Sequence, residues 1–172
     1  MKPDYKNWVP KSMVAGLFAG TAAAFGLFLV LGATGLVLHG TARLICALIL
    51  GAGTLVLLFF AIWMLILHRT FDYNGKRKLS KTIIDGTAAH VTIPEGGVGL
   101  DVGCGSGALT IACAKRNPHA TMVGCDIWSG AYKAEFSKKR CEANAAAEGV
   151  CNTYFHPTQT PPWNSVASVY HI

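Results

Sequence analysis

Along "LDVGCGSGA", three glycines, Gly103, Gly105 and Gly107, occupy alternate positions, with Cys104 and Ser106 between them. Without Cβ atoms the backbone turns tightly there, and a ligand can lie directly against its amides. Two carboxylates frame the turn. Asp101 lies in an apolar run two residues before the first glycine, and Asp126 ends the next apolar run, 19 residues after Gly107. A carboxylate in the second position can accept hydrogen bonds from both hydroxyls of a ribose. The chemistry implied is the capture of a nucleoside-containing cofactor. No residue is assigned as a general base or nucleophile.

The elements around the turn are those that would hold such a ligand. "VGLDV", Val98 to Val102, reads as a buried strand, and Ala108 to Arg116 as a helix with Leu109 and Ala112 on one face, closed by Pro118. Ala120 to Asp126 reads as a second strand and Tyr132 to Glu148 as a second helix. That helix carries Phe136, Ala143 and an i,i+4 pair of Glu135 with Lys139, and Gly149 stops it. Upstream, Leu79, Ile83, Ile84 and Ala88 recur at helical spacing within Lys78 to His90, and "PEGG", Pro94 to Gly97, is a turn. Alternating strands and helices with short links give a parallel sheet, whose ligands bind at the carboxyl ends of its strands. His90 and His119 follow helices and read as solvated or capping residues.

Two cofactor classes compete for this turn. "GCGSGA" fits G-x-G-x-x-A, a dinucleotide fingerprint that would make the chain an oxidoreductase. The same residues fit D-x-G-x-G-x-G, which resembles motif I of the class I S-adenosylmethionine-dependent methyltransferases. Asp101 favours the second. A strand carboxylate is a poor neighbour for a pyrophosphate and a good one for the cationic amino-acid arm of S-adenosylmethionine. The resemblance is specific over Leu100 to Gly107 and at Asp126, and looser from about Phe71 to Val150. It implies a Rossmann-like α/β fold. It also implies that Gly103, Cys104, Gly105, Ser106 and Gly107 wrap the methionine and ribose portions, with Asp101 close by. Asp126 would hold the ribose hydroxyls, while Ile127 and Trp128 would flank the adenine. Trp128 has a second reading, as a loop aromatic covering the sheet edge.

Ahead of this domain the composition changes. Met13 to Leu38 and Leu44 to Leu67 contain no charged residue, and as helices each is long enough to cross a membrane. Only "HGTAR", His39 to Arg43, lies between them, so a helical hairpin is expected with both chain ends on one side. Lys2, Lys6 and Lys11 precede the first span, and Arg69, Lys76, Arg77, Lys78 and Lys81 follow the second, which predicts both ends in the cytoplasm. Gly16, Gly20 and Ala24 form a small-residue stripe suited to close helix approach. Net charge is +6, but from Arg69 onward 11 Lys/Arg face 8 Asp/Glu. The "KRKLSK" cluster suits anionic lipid headgroups. It lacks the interleaved aromatics of a nucleic-acid patch, and no nucleic acid is expected as a partner. The six cysteines contain no C-x-x-C pair and read as reduced residues, neither a metal site nor a disulfide framework.

These readings give a membrane anchor over residues 1–68 and a partial methyltransferase domain over 69–172, with 151–172 an atypical tail. A complete domain of the resembled family has seven strands and a Gly-Asp loop after its third. Here "TYF" can begin a third strand, but His156-Pro157-Thr158 replaces the Gly-Asp, and Pro161 and Pro162 argue against a central strand. The strand before the glycine turn is then an exposed edge. A truncated or frame-shifted product is expected; the alternative is a short form completed by another copy or subunit. The anchor hints at a lipophilic or membrane-bound methyl acceptor. A non-enzymatic membrane subunit that docks a partner remains the rival to an enzyme.

Overall fold

The computed structural model describes residues 2–34, 37–128 and 136–157 of the 172-residue chain. It divides into two units: Asn7–Lys78, and residues 2–6 together with those from Leu79 onward.

The first unit is a pair of apolar helices. Helix α1 spans Lys11–Leu27 and runs on into a π-helical stretch, Phe28–Ala33, and α2 spans Gly40–Phe71. Both are long and apolar enough to cross a membrane. Their boundaries differ from the sequence expectation: α2 begins inside "HGTAR" and continues past Leu67 to Phe71. Arg43 is therefore the fourth residue of α2, not part of a loop. Its guanidinium donates to the carbonyls of Gly32 (2.8 Å) and Ala33 (2.6 Å) at the end of the π-helical stretch. Val14 and Thr21 are buried on α1, and Thr54 and Ala61 on α2, each pair seven residues apart. That is the repeat of a left-handed helix seam. The threonines satisfy their hydroxyls on the carbonyls of Leu17 and Leu50. Among the glycines of the two helices, Gly32 lies tightest against the partner helix: a Cβ there would stand 2.8 Å from the Ala47 Cα. Gly16 and Gly20 have open space around them, so their stripe does not serve this pairing.

The second unit is a small α/β sheet. Helix α3 is Leu79–Ala89, followed by β1 (Val98–Val102), α4 (Ala108–Arg116), β2 (Thr121–Asp126), α5 (Lys138–Ala147) and β3 (Thr153–Pro157). All pairing is parallel in the order β1-β2-β3, with Asp101 opposite Gly124 and Gly124 opposite Phe155. Strand β2 is central because Met122 to Cys125 are apolar or glycine on both faces; Met122, Val123 and Cys125 are all buried. Ala88 of α3, Cys113 and Ala114 of α4, and Met122 form one side of the core. Strand β1 is an edge among the described residues, and Val102 is 63% exposed there.

One expectation changes here and one holds. Helix α5 begins at Lys138, because Ser137 accepts the Arg140 amide (3.3 Å) as its N-cap. Phe136 therefore precedes the helix, while Tyr132 and Glu135 lie outside the described residues, as do Thr158, Pro161 and Pro162. "TYF" does open a third strand, and it carries on through His156 to Pro157. Pro157 is its last residue, where an imino nitrogen costs the ladder little.

Candidate cofactor-binding site

The glycine turn leaves the carboxyl end of β1. Gly103, Gly105 and Gly107 have φ of +81°, +57° and +80°, a region that favours glycine over residues bearing a Cβ. The amides of Gly103 and Cys104 both donate to the Cys125 carbonyl at 2.7 and 3.1 Å, tying the turn to the end of β2. The Gly107 amide returns to the Cys104 carbonyl (2.7 Å), and α4 starts immediately afterwards. A Cβ at Gly103 would project into open space, so the turn leaves room beside its backbone for a ligand.

Asp126 ends β2 facing this turn. Its Oδ2 accepts the Gly105 amide (2.8 Å) and its Oδ1 accepts the Trp128 amide (2.8 Å). A carboxylate has about four acceptor positions, and among the described residues two of those on Asp126 are taken. Ile127 is 66% exposed beside it. Trp128 is only 8% exposed, with φ of +37°, and its indole N–H donates to the Gly105 carbonyl (2.9 Å). It braces the turn, so the aromatic face it offers a ligand is small. This lies nearer to the covering role than to the adenine-flanking one.

Asp101 is mostly buried one layer below. Burial raises its pKa, the Thr110 hydroxyl opposes this by donating to Oδ2 (2.6 Å), and the Asp126 charge adds to the rise. Both folded and unfolded Asp101 are protonated well below pH 3.8, its ordinary value. As pH rises from there through the higher folded value, the buried carboxylate must ionise, and stability falls before levelling off. Thr110→Val removes the opposing donor and is expected to raise the Asp101 pKa further. Carboxyl NMR titration of the two proteins checks this; an unchanged midpoint would refute the assignment of Thr110.

Four contributors escaped the sequence reading: Thr110, Cys141, Asn144 and Phe155. The Cys141 thiol donates to the Gly105 carbonyl (3.2 Å), and Asn144 Nδ2 donates to the Ser106 carbonyl (3.0 Å). The Cys104 thiol is pushed up by its hydrogen bond with Cys141, by burial and by the carboxylates nearby, and stays neutral. A polar Asn within "EANAAAEG" was the available signal, since a buried amide needs partners. His90 lies apart from the site, its Nδ1 2.8 Å from the Gly86 carbonyl.

A parallel sheet with a glycine turn after one strand and an acidic residue ending the next defines a nucleoside-cofactor domain of Rossmann-like build. Residues 80–160 match the family model of the methyltransferase small domain. Over that segment the chain carries a domain of the class I S-adenosylmethionine-dependent methyltransferases, a family whose cofactor is S-adenosylmethionine. Two curated relatives, both tRNA1(Val) (adenine(37)-N6)-methyltransferases from Vibrio cholerae serotype O1 (strains M66-2 and ATCC 39315 / El Tor Inaba N16961), are 51% identical over 35 residues. That stretch is 20% of this chain and 15% of each relative. A crystal structure of coclaurine N-methyltransferase bound to N-methylheliamine and SAH is similar at 21% identity and a TM-score of 0.38, covering 48% of this chain and 23% of that one. The two relatives are named for a tRNA substrate, at odds with the expectation that nucleic acid is no partner.

Proposed function

We propose that this chain binds S-adenosylmethionine at the Gly103–Gly107 turn and serves methyl transfer at a membrane. The observation that carries the reading is Asp126, which ends β2 and grips the Gly105 amide beside a turn of three positive-φ glycines, with acceptor capacity beyond its two contacts among the described residues. When bound, S-adenosylmethionine supplies a methyl group on a sulfonium that is already a good leaving group. The residues of this chain position it. The turn amides and Asp126 hold the ribose end, Ile127 lies along the base, and the Asp101 carboxylate favours a cationic amino-acid arm.

The full chain in detergent micelles is expected to take up S-adenosylhomocysteine with measurable heat in calorimetry. A folded sample that binds NADH and not S-adenosylhomocysteine would sink the reading in favour of the oxidoreductase. A sample that binds neither and co-purifies with a partner would favour the docking subunit.

The membrane location rests on an inverted surface. The helix pair buries Thr21, Thr54 and Ala61 while Leu48 and Leu55 are 74% and 69% exposed, the reverse of a core packed in water. The basic excess outside both spans supports a reading in which both ends are cytoplasmic. Tags at the two ends should be protected, or cleaved, together by protease on sealed vesicles; opposite behaviour would exclude the hairpin.

For the acceptor, the anchor favours a lipophilic or membrane-bound molecule. The tRNA adenine methylation for which the two relatives are named favours a second reading, an adenine amino group in RNA, with Lys76, Arg77, Lys78 and Lys81 as phosphate contacts. Radiolabelled S-adenosylmethionine offered with extracted lipid and with tRNA separates the two by where the label goes.

A further inference from the structure

Residues 2–6 precede the first apolar helix in sequence, yet they group with the cofactor domain. The contact is made by Asn144 of α5, which is 3% exposed. The Asp4 amide donates to Asn144 Oδ1 (2.7 Å), and Asn144 Nδ2 donates to the Asp4 carbonyl (3.2 Å). The same Nδ2 donates to the Ser106 carbonyl in the glycine turn (3.0 Å). Around this point the Asp4 carboxylate pairs with Lys6 (2.9 Å) and Arg140, and the buried Tyr5 places its hydroxyl 3.5 Å from Glu148.

The arrangement fixes the direction of one side chain. A carboxamide has a donor end and an acceptor end of nearly the same shape, and turning it over costs little unless its partners differ. Asp4 presents both an N–H and a C=O, so it accepts only one orientation. The reversed amide would set its oxygen against the Asp4 and Ser106 carbonyls together. With the amide held, the Ser106–Gly107 peptide is held, and with it the direction of the turn's amides.

We propose that Asn144 is a positioning residue for the cofactor turn and that residues 2–6 set its orientation. Cofactor affinity then depends on a segment placed ahead of the first apolar helix. The affinity arm rests on the cofactor reading above; the positioning of the turn does not.

The test uses the full chain in detergent micelles with two readouts. These are hydrogen exchange at the Gly105 and Gly107 amides without ligand, and calorimetric titration with S-adenosylhomocysteine. Asp4→Pro removes the backbone N–H that Asn144 reads, whereas Asp4→Ala keeps both backbone groups and loses only the ion pairs. Asp4→Pro, and deletion of residues 2–5, are expected to speed exchange at both glycines and weaken binding about fivefold, the effect of one net hydrogen bond. Asp4→Ala is expected to stay within about twofold of the parent. Unchanged exchange after the deletion would overturn the proposal, as would equal damage from Asp4→Ala and Asp4→Pro. Faster exchange in a chain that binds no S-adenosylhomocysteine would uphold the positioning of the turn and overturn only the identity of the ligand.

Discussion

Asp126→Ala is expected to weaken S-adenosylhomocysteine binding by about tenfold or more while the domain stays folded. Hydrogen bonds to a charged acceptor contribute about 1.5–3 kcal/mol each, and about 1.4 kcal/mol is a factor of ten in affinity. Losing even one ribose contact therefore reaches that size. The substitution also releases the Gly105 and Trp128 amides, both of which end on this carboxylate at 2.8 Å. The turn loses its link to the end of β2 at Gly105, although Gly103 and Cys104 still hold the Cys125 carbonyl. Part of the loss is thus in preorganisation. Asp126→Asn keeps one acceptor oxygen and should fall between the two. Calorimetry reads all three proteins, and an affinity for the alanine variant within about twofold of the parent would remove Asp126 from the site.

The second large effect is on stability, at Gly124. A Cβ there would stand 2.8 and 2.9 Å from Cδ1 and Cε1 of Phe155 and 2.9 Å from the Thr110 hydroxyl. Neither neighbour has room to give. Phe155 is 3% exposed and its ring is also 3.0 Å from where a Gly107 Cβ would be, so it is wedged between two glycines. Thr110 is fully buried and committed to Asp101. Overpacking of this kind costs about 1–3 kcal/mol, and Gly124→Ala belongs at the upper end. Urea unfolding followed by tryptophan fluorescence should show an earlier midpoint. Phe155→Leu in the same chain should recover part of the loss, because the two changes share one space. Two changes that simply add would mean the ring is not wedged.

The methyltransferase domain over residues 80–160 was legible in a few neighbouring residues. "LDVGCGSGA" is a strand, a turn that needs glycine and the first turn of a helix, all specified within nine positions, and β1 and α4 have the expected bounds. The apolar helices were legible for the same reason, since charge-free runs are a local property. Helix α5 was harder. Its periodicity extends back to Tyr132, but the Ser137 cap starts it at Lys138, and a cap counts for more than pattern because it supplies an acceptor to otherwise unpaired amides.

The sequence alone determined which backbone can turn at Gly103–Gly107, which carboxylates flank it and which segments are long and apolar, because each depends on residue type and near neighbours. Only the tertiary structure decided what those groups touch. It set Thr110 on Asp101, Trp128 and Cys141 on the Gly105 carbonyl, Gly32 rather than Gly16 and Gly20 at the helix approach, and Asp4 on Asn144 across 140 residues. Those contacts depend on how elements distant in the chain are brought together, and a buried polar atom takes whichever partner the packing brings within reach.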